Sequence, residues 1–160
     1  MSFINNSSFW KMYTKRPSNA DGHCLLYSCI SSLFSQHGIS VTKTTMINQI
    51  LQECQNHRNV YDHVFDADIA NMFETELHEY TQKREYRSLF GDILPNVIAN
   101  FLQMKIIIIY KQGDEFMYHK LPQSIFSRYN SSFNDTTGKA LILLKNDAHY
   151  DGLDYNVMNN

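Results

Sequence analysis

Cys24 is the side chain in this sequence that is best placed to act as a nucleophile. It follows an Asp-Gly turn signal in the stretch NADGHCLLY, residues 19–27, and the residues after it are apolar at helical spacing. A helix N-terminus carries unsatisfied N–H groups and a partial positive charge, which lower the pKa of a thiol and can bind an oxyanion. A buried, inert cysteine would fit the same local pattern, so a catalytic role and a packing role both remain open at this point.

A base for such a thiol is available late in the chain, in the stretch AHYDGLDY. In an extended strand, residues i and i+2 lie on the same face, so His149 and Asp151 share one side while Tyr150 points away. An aspartate can accept a hydrogen bond from one imidazole nitrogen and leave the other directed at a thiol. An early cysteine with a late histidine is also the order found in papain-like enzymes. The pattern fits nucleophilic catalysis by Cys24, His149 and Asp151, but order and spacing alone leave a structural role for Cys24 equally open.

The other cysteines and histidines have simpler interpretations. Cys29 lies on the apolar face of the predicted helix as an inert buried thiol, and Cys54, at the end of another helix, is a packing or surface thiol. His57 and His63 lie in a polar stretch without CxxC, HExxH or clustered carboxylates, which favours solvated loop residues over metal ligands. His23, beside Cys24, is expected in a loop at the rim of the site. We expect no metal and no cofactor.

Composition limits the class of protein. The 160 residues, 43% of them hydrophobic, suffice for one domain over residues 1–160, with a core at about 18–155 and frayed polar ends. A net charge of −2 without a run of Lys or Arg argues against nucleic acid as a partner. Three cysteines cannot all pair and no secretory leader precedes them, so we expect free thiols in a reducing, intracellular compartment, cytoplasmic or host-cytoplasmic. The apolar run Ile106–Tyr110 is too short to cross a bilayer and predicts a strand buried on both faces.

The elements that must position these residues follow from apolar spacing. Three helices are expected in the first half of the chain, with the bounds Cys24–Gln36, Thr44 or Thr45 (as N-cap) to Cys54, and about Asp66 to Leu77. The charged residues between Glu74 and Arg87 are interpreted as a solvated helix face and connection, although the same charges could face a partner.

The later part of the chain is predicted to form the sheet. The stretch LFGDILPNVIANFLQMKIIIIYK, residues 89–111, predicts a turn at Gly91, a cap at Asp92, a short helix with Pro95 in its first turn, and a strand. Four strands are expected, at Lys105–Lys111, Glu115–Lys120, Lys139–Lys145 and His149–Tyr155. Helices that come first and strands that cluster late are typical of the α+β class, with a small, mainly antiparallel (mixed) sheet flanked by helices.

Three segments together resemble the ovarian-tumour (OTU) domain family of cysteine proteases. DGHCLLYSCISSLF resembles the Asp-Gly-x-Cys-Leu box that opens the family's catalytic helix. LFGDILPNVIANFLQMKIIIIY resembles the middle segment, and AHYDGLDY resembles the closing His-Tyr-(Asn/Asp) box. The three occur in the family's order between Ser18 and Tyr155, and the middle segment is most similar to OTU domains of mobile elements, viruses and intracellular bacteria.

The resemblance implies a papain-like OTU fold with the nucleophile at a helix N-terminus. It also implies hydrolysis of the bond after the C-terminal glycine of ubiquitin, through a thioester. Carried over by position, the roles are nucleophile for Cys24, general base for His149, orienting residue for Asp151, oxyanion loop for Asp21, Gly22 and His23, and cleft wall for Tyr150. His23 stands where Asn or Ser is more usual, and Phe90 stands near where many members carry Trp.

The resemblance also implies a partner. We expect a monomer that acts on ubiquitin or polyubiquitin chains, without a nucleic acid, a membrane or a cofactor. One alternative keeps the thiol chemistry and changes the substrate to a ubiquitin-like modifier or another peptide. The other is a catalytically silent ubiquitin-binding module.

Overall fold

A six-stranded mixed sheet forms the centre of the computed structural model, which describes residues 3–18, 22–64, 70–83, 88–128 and 139–156. The strands are β1 (Phe3–Asn5), β2 (Tyr13–Arg16), β3 (Lys105–Gln112), β4 (Glu115–Leu121), β5 (Ala140–Asn146) and β6 (His149–Tyr155). Their order across the sheet is β1-β4-β3-β5-β6-β2. Neighbouring strands are antiparallel except β3 and β5, which are parallel. The predicted α+β class with a mainly antiparallel, mixed sheet is confirmed.

Helices supply the remaining regular structure of the described residues. They are α1 (Asn6–Met12), α2 (Cys24–His37), α3 (Lys43–Asn56), α4 (Arg58–Tyr61), α5 (Ala70–His78) and α6 (Ser88–Leu102), with a π-helical turn at Glu79–Lys83 directly after α5. Short 3₁₀ turns occupy Asp62–Val64 and Ser124–Phe126. Within these ranges no helix combines the length and the apolar character that a membrane span requires.

The sheet carries a separate apolar layer on each face. On one side, Ile106 and Ile108 of β3 belong to the larger core, which also contains the buried side chains of α2, α3 and α6. On the other side, Ile109 lies in a smaller cluster with Phe9 of α1 and Phe116 of β4, whose rings stack with centroids 4.0 Å apart. The central strand β3 is therefore covered on both faces, as its continuous apolar run predicts.

The expectation of a frayed N-terminal end is wrong for residues 3–16. The first strand pairs with β4 and the second with β6, so this segment provides both edges of the sheet. The Asn5 side chain caps α1 by accepting a hydrogen bond of 2.8 Å from the Ser8 amide. The polar residues that suggested a loop are a helix cap and an exposed helix face, and Phe9 alone gives α1 its buried anchor. Residues 157–160 of the opposite end lie outside the described residues.

The predicted turn at Gly91 and cap at Asp92 are also wrong, because α6 runs without interruption from Ser88 to Leu102. Its first turn is capped from another helix, where the Glu76 carboxylate accepts a hydrogen bond of 3.1 Å from the Phe90 amide. Glu76 is buried, although the sequence suggested a solvated position. Pro95 lacks the N–H that would continue the helical ladder. The burial of the apolar residues of α6 outweighs this local cost.

The other predicted helices agree closely with the structure. The helix α2 extends one residue beyond the predicted Gln36 and is followed by Gly38 in the left-handed conformation, with φ of 67°. The helix α3 is capped by Thr42 instead of Thr44 or Thr45, since the Thr42 hydroxyl accepts the Thr45 amide at 3.1 Å. The start expected near Asp66 for the third helix lies outside the described residues, where α5 is seen from Ala70 onward.

A buried polar cluster attaches residues 124–128 to α3 and α6. The Glu53 carboxylate accepts two hydrogen bonds from the Arg128 guanidinium, of 2.6 and 2.9 Å, and a third of 2.6 Å from the Tyr61 hydroxyl. Asn100 of α6 donates to the Tyr61 oxygen and to the Phe126 carbonyl. Burial, followed by the hydrogen bond to Glu53, raises the pKa of Tyr61, so this hydroxyl stays protonated and remains a donor.

Candidate active site

Cys24 is the first residue of α2, directly after the N-cap residue His23. Its side chain is largely buried, with 7% of the residue exposed. The backbone amide of Tyr150 in β6 donates a hydrogen bond to Cys24 Sγ, with an N–S distance of 3.5 Å. The sulfur therefore lies both at the positive end of α2 and against the strand that carries His149 and Asp151.

The end of β2 explains why this strand amide is available to the sulfur. The pairing of β2 with β6 stops at Arg16 opposite Gly152, and Pro17 follows, which has no N–H to continue the ladder. Beyond that point β6 makes contacts with the segment leading to α2. The Ser18 amide donates to Asp151 Oδ1 at 2.9 Å, and the Ser18 hydroxyl lies 2.8 Å from that of Ser28 in α2.

His149 and Asp151 are joined by a hydrogen bond between Nε2 and Oδ1 of 2.9 Å. Because the carboxylate oxygen accepts, Nε2 carries the proton and Nδ1 is the nitrogen left to take up another. The His149 side chain is 31% exposed and that of Asp151 is 9% exposed, so the imidazole reaches solvent while the carboxylate is largely buried. The Oδ1 atom of Asp151 thus receives two donors, the imidazole and the Ser18 amide.

Gly152 allows β6 to lie close to α2. A Cβ at this position would be 2.5 Å from Ser31 Oγ and 2.9 Å from Ser32 Oγ, well inside van der Waals contact. The Ser32 hydroxyl also accepts a hydrogen bond of 3.0 Å from the Leu153 amide. These contacts were not predicted from the sequence. The available signal was a glycine inside an otherwise well-formed strand, which is typical of a close approach between backbones.

The prediction that His23 lies in a loop at the rim of the site is wrong, because the residue is buried and only 1% exposed. Its Nε2 donates to the Tyr80 carbonyl at 2.5 Å, and its ring lies 4.8 Å from the Tyr80 ring. At the N-cap of α2 the side chain turns inward, below the π-helical turn Glu79–Lys83, and not outward to solvent. A single sequence carries no signal of this contact, because the two residues are 57 positions apart.

The structure gives less detail about the remaining predicted site residues, Asp21, Gly22 and Tyr150. Asp21 lies outside the described residues, and Gly22 is half-buried next to His23. The ring of Tyr150 is buried and borders a groove of about 390 Å³ that is also lined by Asp92, Pro95 and His119. The Lys145 ammonium lies 5.4 Å from the centre of the Tyr150 ring. Tyr150 thus borders this groove, which is not lined by Cys24 or His149, while its amide contacts the sulfur.

The histidines that could have suggested a metal have structural contacts. His63 Nε2 lies 3.1 Å from the Ile125 carbonyl, and its ring stacks on Phe126. His57 lies at the junction of α3 and α4. Among the described residues, no group of three or more His, Cys, Asp or Glu side chains could hold a metal ion.

We expect selective alkylation of Cys24 when the folded protein is treated with iodoacetamide and the product is mapped by mass spectrometry. Cys29 and Cys54 are completely buried, and burial raises the pKa of both thiols, so they stay protonated and unreactive. Cys24 begins a helix, and its sulfur accepts a hydrogen bond from the amide of Tyr150, the residue between His149 and Asp151. The denatured protein, in which all three thiols should react alike, is the control. Equal labelling of Cys29 and Cys24 in the folded protein would contradict this expectation.

Comparison with known proteins identifies the class to which this fold and site belong. The family model described as OTU-like cysteine protease matches residues 19–150. This range covers most of the chain and includes the Cys24 box, the middle segment and the start of the His149 box. The chain belongs to the family of OTU-like cysteine proteases.

Solved structures with low sequence identity share the fold. The viral OTU domain protease from Dera Ghazi Khan virus is 14% identical, with a TM-score of 0.62 over 98% of this chain and 87% of that one. An OTU deubiquitinase from Wolbachia pipientis wMel is 13% identical, with a TM-score of 0.58 over 88% and 87%. The Hazara virus OTU bound to ubiquitin is 14% identical, with a TM-score of 0.57 over 98% and 88%. A comparison with curated proteins finds no significant sequence match.

Proposed function

We propose that this chain is a deubiquitinase that hydrolyses the peptide or isopeptide bond after the C-terminal glycine of ubiquitin. The observation that carries the proposal is the His149–Asp151 hydrogen bond, beside a strand amide that donates to Cys24 Sγ. A nucleophile, a base and a residue that orients the base are the set that thiol hydrolysis requires. Family membership supports the reaction class. The ubiquitin-bound Hazara virus structure and the Wolbachia deubiquitinase support the substrate.

In the first half-reaction the Cys24 thiolate attacks the carbonyl carbon of the last glycine, and a carbon–sulfur bond forms. His149 has taken the thiol proton and now gives it to the leaving amine as the carbon–nitrogen bond breaks. Asp151 keeps the imidazole in the tautomer with Nε2 protonated and stabilises the imidazolium that forms. The product is a thioester between Cys24 and ubiquitin, and the lysine amine is free.

In the second half-reaction water replaces the amine. His149, now neutral, removes a proton from the water, whose oxygen attacks the thioester carbonyl. The carbon–sulfur bond breaks, the sulfur leaves as a thiolate or regains its proton from His149, and ubiquitin departs with a free carboxylate. The Tyr150 amide stabilises the sulfur anion at the start and the end of the cycle, because a hydrogen bond to the charged form favours that form.

The oxyanion of each tetrahedral intermediate requires backbone donors close to Cys24. We assign this role to the loop of Asp21, Gly22 and His23 together with the first turn of α2, whose N–H groups have no partner inside the helix. The half-buried Gly22 leaves room for the substrate carbonyl to approach the backbone.

The alternatives differ in substrate or in chemistry. A ubiquitin-like modifier would use the same three residues, so only the recognition surface distinguishes it from ubiquitin. A silent ubiquitin-binding module would need none of them. The hydrogen bond between His149 and Asp151, next to the Tyr150 amide that donates to Cys24 Sγ, favours the enzyme.

A ubiquitin probe with a C-terminal electrophile tests the proposal. We expect the wild-type protein and the variant Cys29→Ala to become covalently labelled, and the variant Cys24→Ala to remain unlabelled. Cys29 is the matched control because it is a thiol of the same helix, buried one turn further on. Labelling that survives in Cys24→Ala would contradict the assignment. Probes built on ubiquitin-like modifiers, compared at equal concentration, decide between ubiquitin and the alternative substrates.

A further inference from the structure

We propose that His23 is a positioning residue that ties the nucleophile Cys24 to the π-helical turn Glu79–Lys83. The inference rests on the proposed function for the reaction that it affects. The tether itself is a matter of geometry: the side chain directly before the nucleophile donates to a backbone carbonyl of a separate helical segment. Through this hydrogen bond, the orientation of the first turn of α2 depends on the position of the π-helical turn Glu79–Lys83.

The contact of His23 is directional as well as close. If His23 served only to fill space, its ring nitrogens would not need a polar partner. Instead, Nε2 of His23 lies 2.5 Å from the Tyr80 carbonyl oxygen, within hydrogen-bond distance. The two rings lie 4.8 Å apart at 52°, so the Tyr80 side chain also limits rotation of the imidazole. With both residues almost fully buried, water offers no replacement partner for this bond.

The Tyr80 carbonyl, which accepts the hydrogen bond from His23, is held in place by contacts with two helices. The Tyr80 ring packs against that of Phe90 in α6, with centroids 5.7 Å apart, and the Phe90 amide is bound by Glu76 of α5. The Thr81 hydroxyl donates to the Leu77 carbonyl at 2.8 Å, one turn earlier. The π-helical turn is therefore braced against both α5 and α6, and wide turns of this kind are common at functional sites.

The donor end of the tether controls the backbone at Cys24. His23 is the N-cap residue of α2, and its carbonyl accepts the Tyr27 amide at 3.1 Å. Holding its side chain limits the backbone angles of the residue to which Cys24 is bonded. On the other side of the sulfur, the Tyr150 amide supplies a fixed donor. The tether and the strand thus fix the position of Sγ together, and a small displacement of a reacting atom is costly.

Two substitutions of His23 separate positioning from packing. In His23→Asn the side chain is too short to reach the Tyr80 carbonyl. In His23→Gln the amide nitrogen falls near the position of imidazole Nε2 and can donate to the same oxygen. The matched control is His37→Asn, since His37 lies on the same helix and its Nε2 bonds the Ala140 carbonyl at 2.7 Å, far from Cys24 in the chain.

The readouts are kcat and KM for cleavage of ubiquitin carrying a fluorogenic leaving group. We expect His23→Asn to lower kcat by about tenfold to a hundredfold with KM changed by less than about twofold. We expect His23→Gln to restore kcat to within about threefold of wild type, and His37→Asn to leave kcat unchanged. A His23→Asn protein with the kcat of His37→Asn, or a His23→Gln protein as slow as His23→Asn, would overturn the proposal.

A second measurement separates this proposal from the proposed function. The rate constant for alkylation of Cys24 by iodoacetamide requires no ubiquitin, so it reports on the thiol even if ubiquitin is not the substrate. We expect a slower rate in His23→Asn and a nearly wild-type rate in His23→Gln and His37→Asn. Equal rates in all four proteins would refute the tether. Failure of the ubiquitin probe to label Cys24, with these rate differences intact, would refute only the substrate.

Discussion

Replacing Asp151 by alanine is expected to lower kcat/KM for ubiquitin cleavage by about 10⁴-fold, whereas replacing it by asparagine is expected to cost about tenfold. Alanine removes the acceptor that holds His149 Nε2, so the imidazole loses both its orientation and the partner that stabilises its charged form. It also leaves the Ser18 amide without this acceptor, in a part of the site that is mostly buried.

Asparagine is expected to be tolerated because of the second donor on the same oxygen. An asparagine that turned its NH₂ group toward the imidazole would impose the wrong tautomer and cost about 10⁴-fold. Here the Ser18 amide and His149 Nε2 both donate to Oδ1. An NH₂ group in that position would face two N–H donors. We therefore expect the amide oxygen of the asparagine to occupy the position of Oδ1, which preserves the His149 tautomer. The small expected loss of activity then reflects only the missing negative charge.

Steady-state kinetics on ubiquitin with a fluorogenic leaving group, accompanied by urea unfolding curves, measure these effects. The control is Asp154→Asn, a second aspartate of β6 that pairs with Arg16 at the surface. We expect that variant to keep wild-type kinetics. Nearly wild-type activity in Asp151→Ala would mean that another group orients His149. Equal losses in Asp151→Ala and Asp151→Asn would mean that the carboxylate charge matters more than the Ser18 contact.

Replacing Glu53 by alanine is expected to lower the free energy of unfolding by about 3–5 kcal/mol, a large part of the 5–15 kcal/mol typical of a domain. The carboxylate accepts from Arg128 twice and from Tyr61 once. The Arg128 side chain is only 20% exposed, so its charge would lose its partner in a place that water reaches poorly. The Tyr61 hydroxyl would lose its acceptor at the same time.

Urea denaturation of Glu53→Ala, with Asp154→Ala as the control, measures this effect. The Arg16–Asp154 pair is 45% and 33% exposed, and we expect its loss to cost less than about 1 kcal/mol. A matching small loss in Glu53→Ala would mean that water or a rearranged side chain replaces the buried contacts. Because the cluster lies near the far end of α3, we expect the remaining folded protein to keep its kcat.

Much of this architecture could be predicted from the sequence because it depends on local rules. The apolar spacing of α2 and the Gly38 stop define that helix within one residue. The alternation His149-Tyr150-Asp151 is a property of any extended strand, so the hydrogen bond between the first and third of these residues required only that the strand form. The parallel pairing of β3 with β5 could not be predicted from such local rules, because it joins two strands that are distant in the chain.

The features that escaped prediction depend on partners that are remote in sequence. The helix α1 is anchored by Phe9 only because Phe9 stacks on Phe116 of β4, and the first turn of α6 is capped by Glu76, which binds the Phe90 amide. His23 turns inward because its Nε2 donates a hydrogen bond to the Tyr80 carbonyl. In each case a local signal of a loop or a turn was outweighed by a contact that no short window of sequence contains.

The place of β6 in the sheet has a consequence for the timing of activity. This strand is synthesised about 125 residues after Cys24, which at roughly 5–20 residues per second corresponds to about 6–25 s of translation. It then inserts between β5, made shortly before, and β2, made near the beginning. Throughout that interval the thiol at the start of α2 lacks both the Tyr150 amide and the proposed base His149. If the proposed function is correct, we expect the nascent chain to be inert toward ubiquitin conjugates until residues 149–155 have joined the sheet.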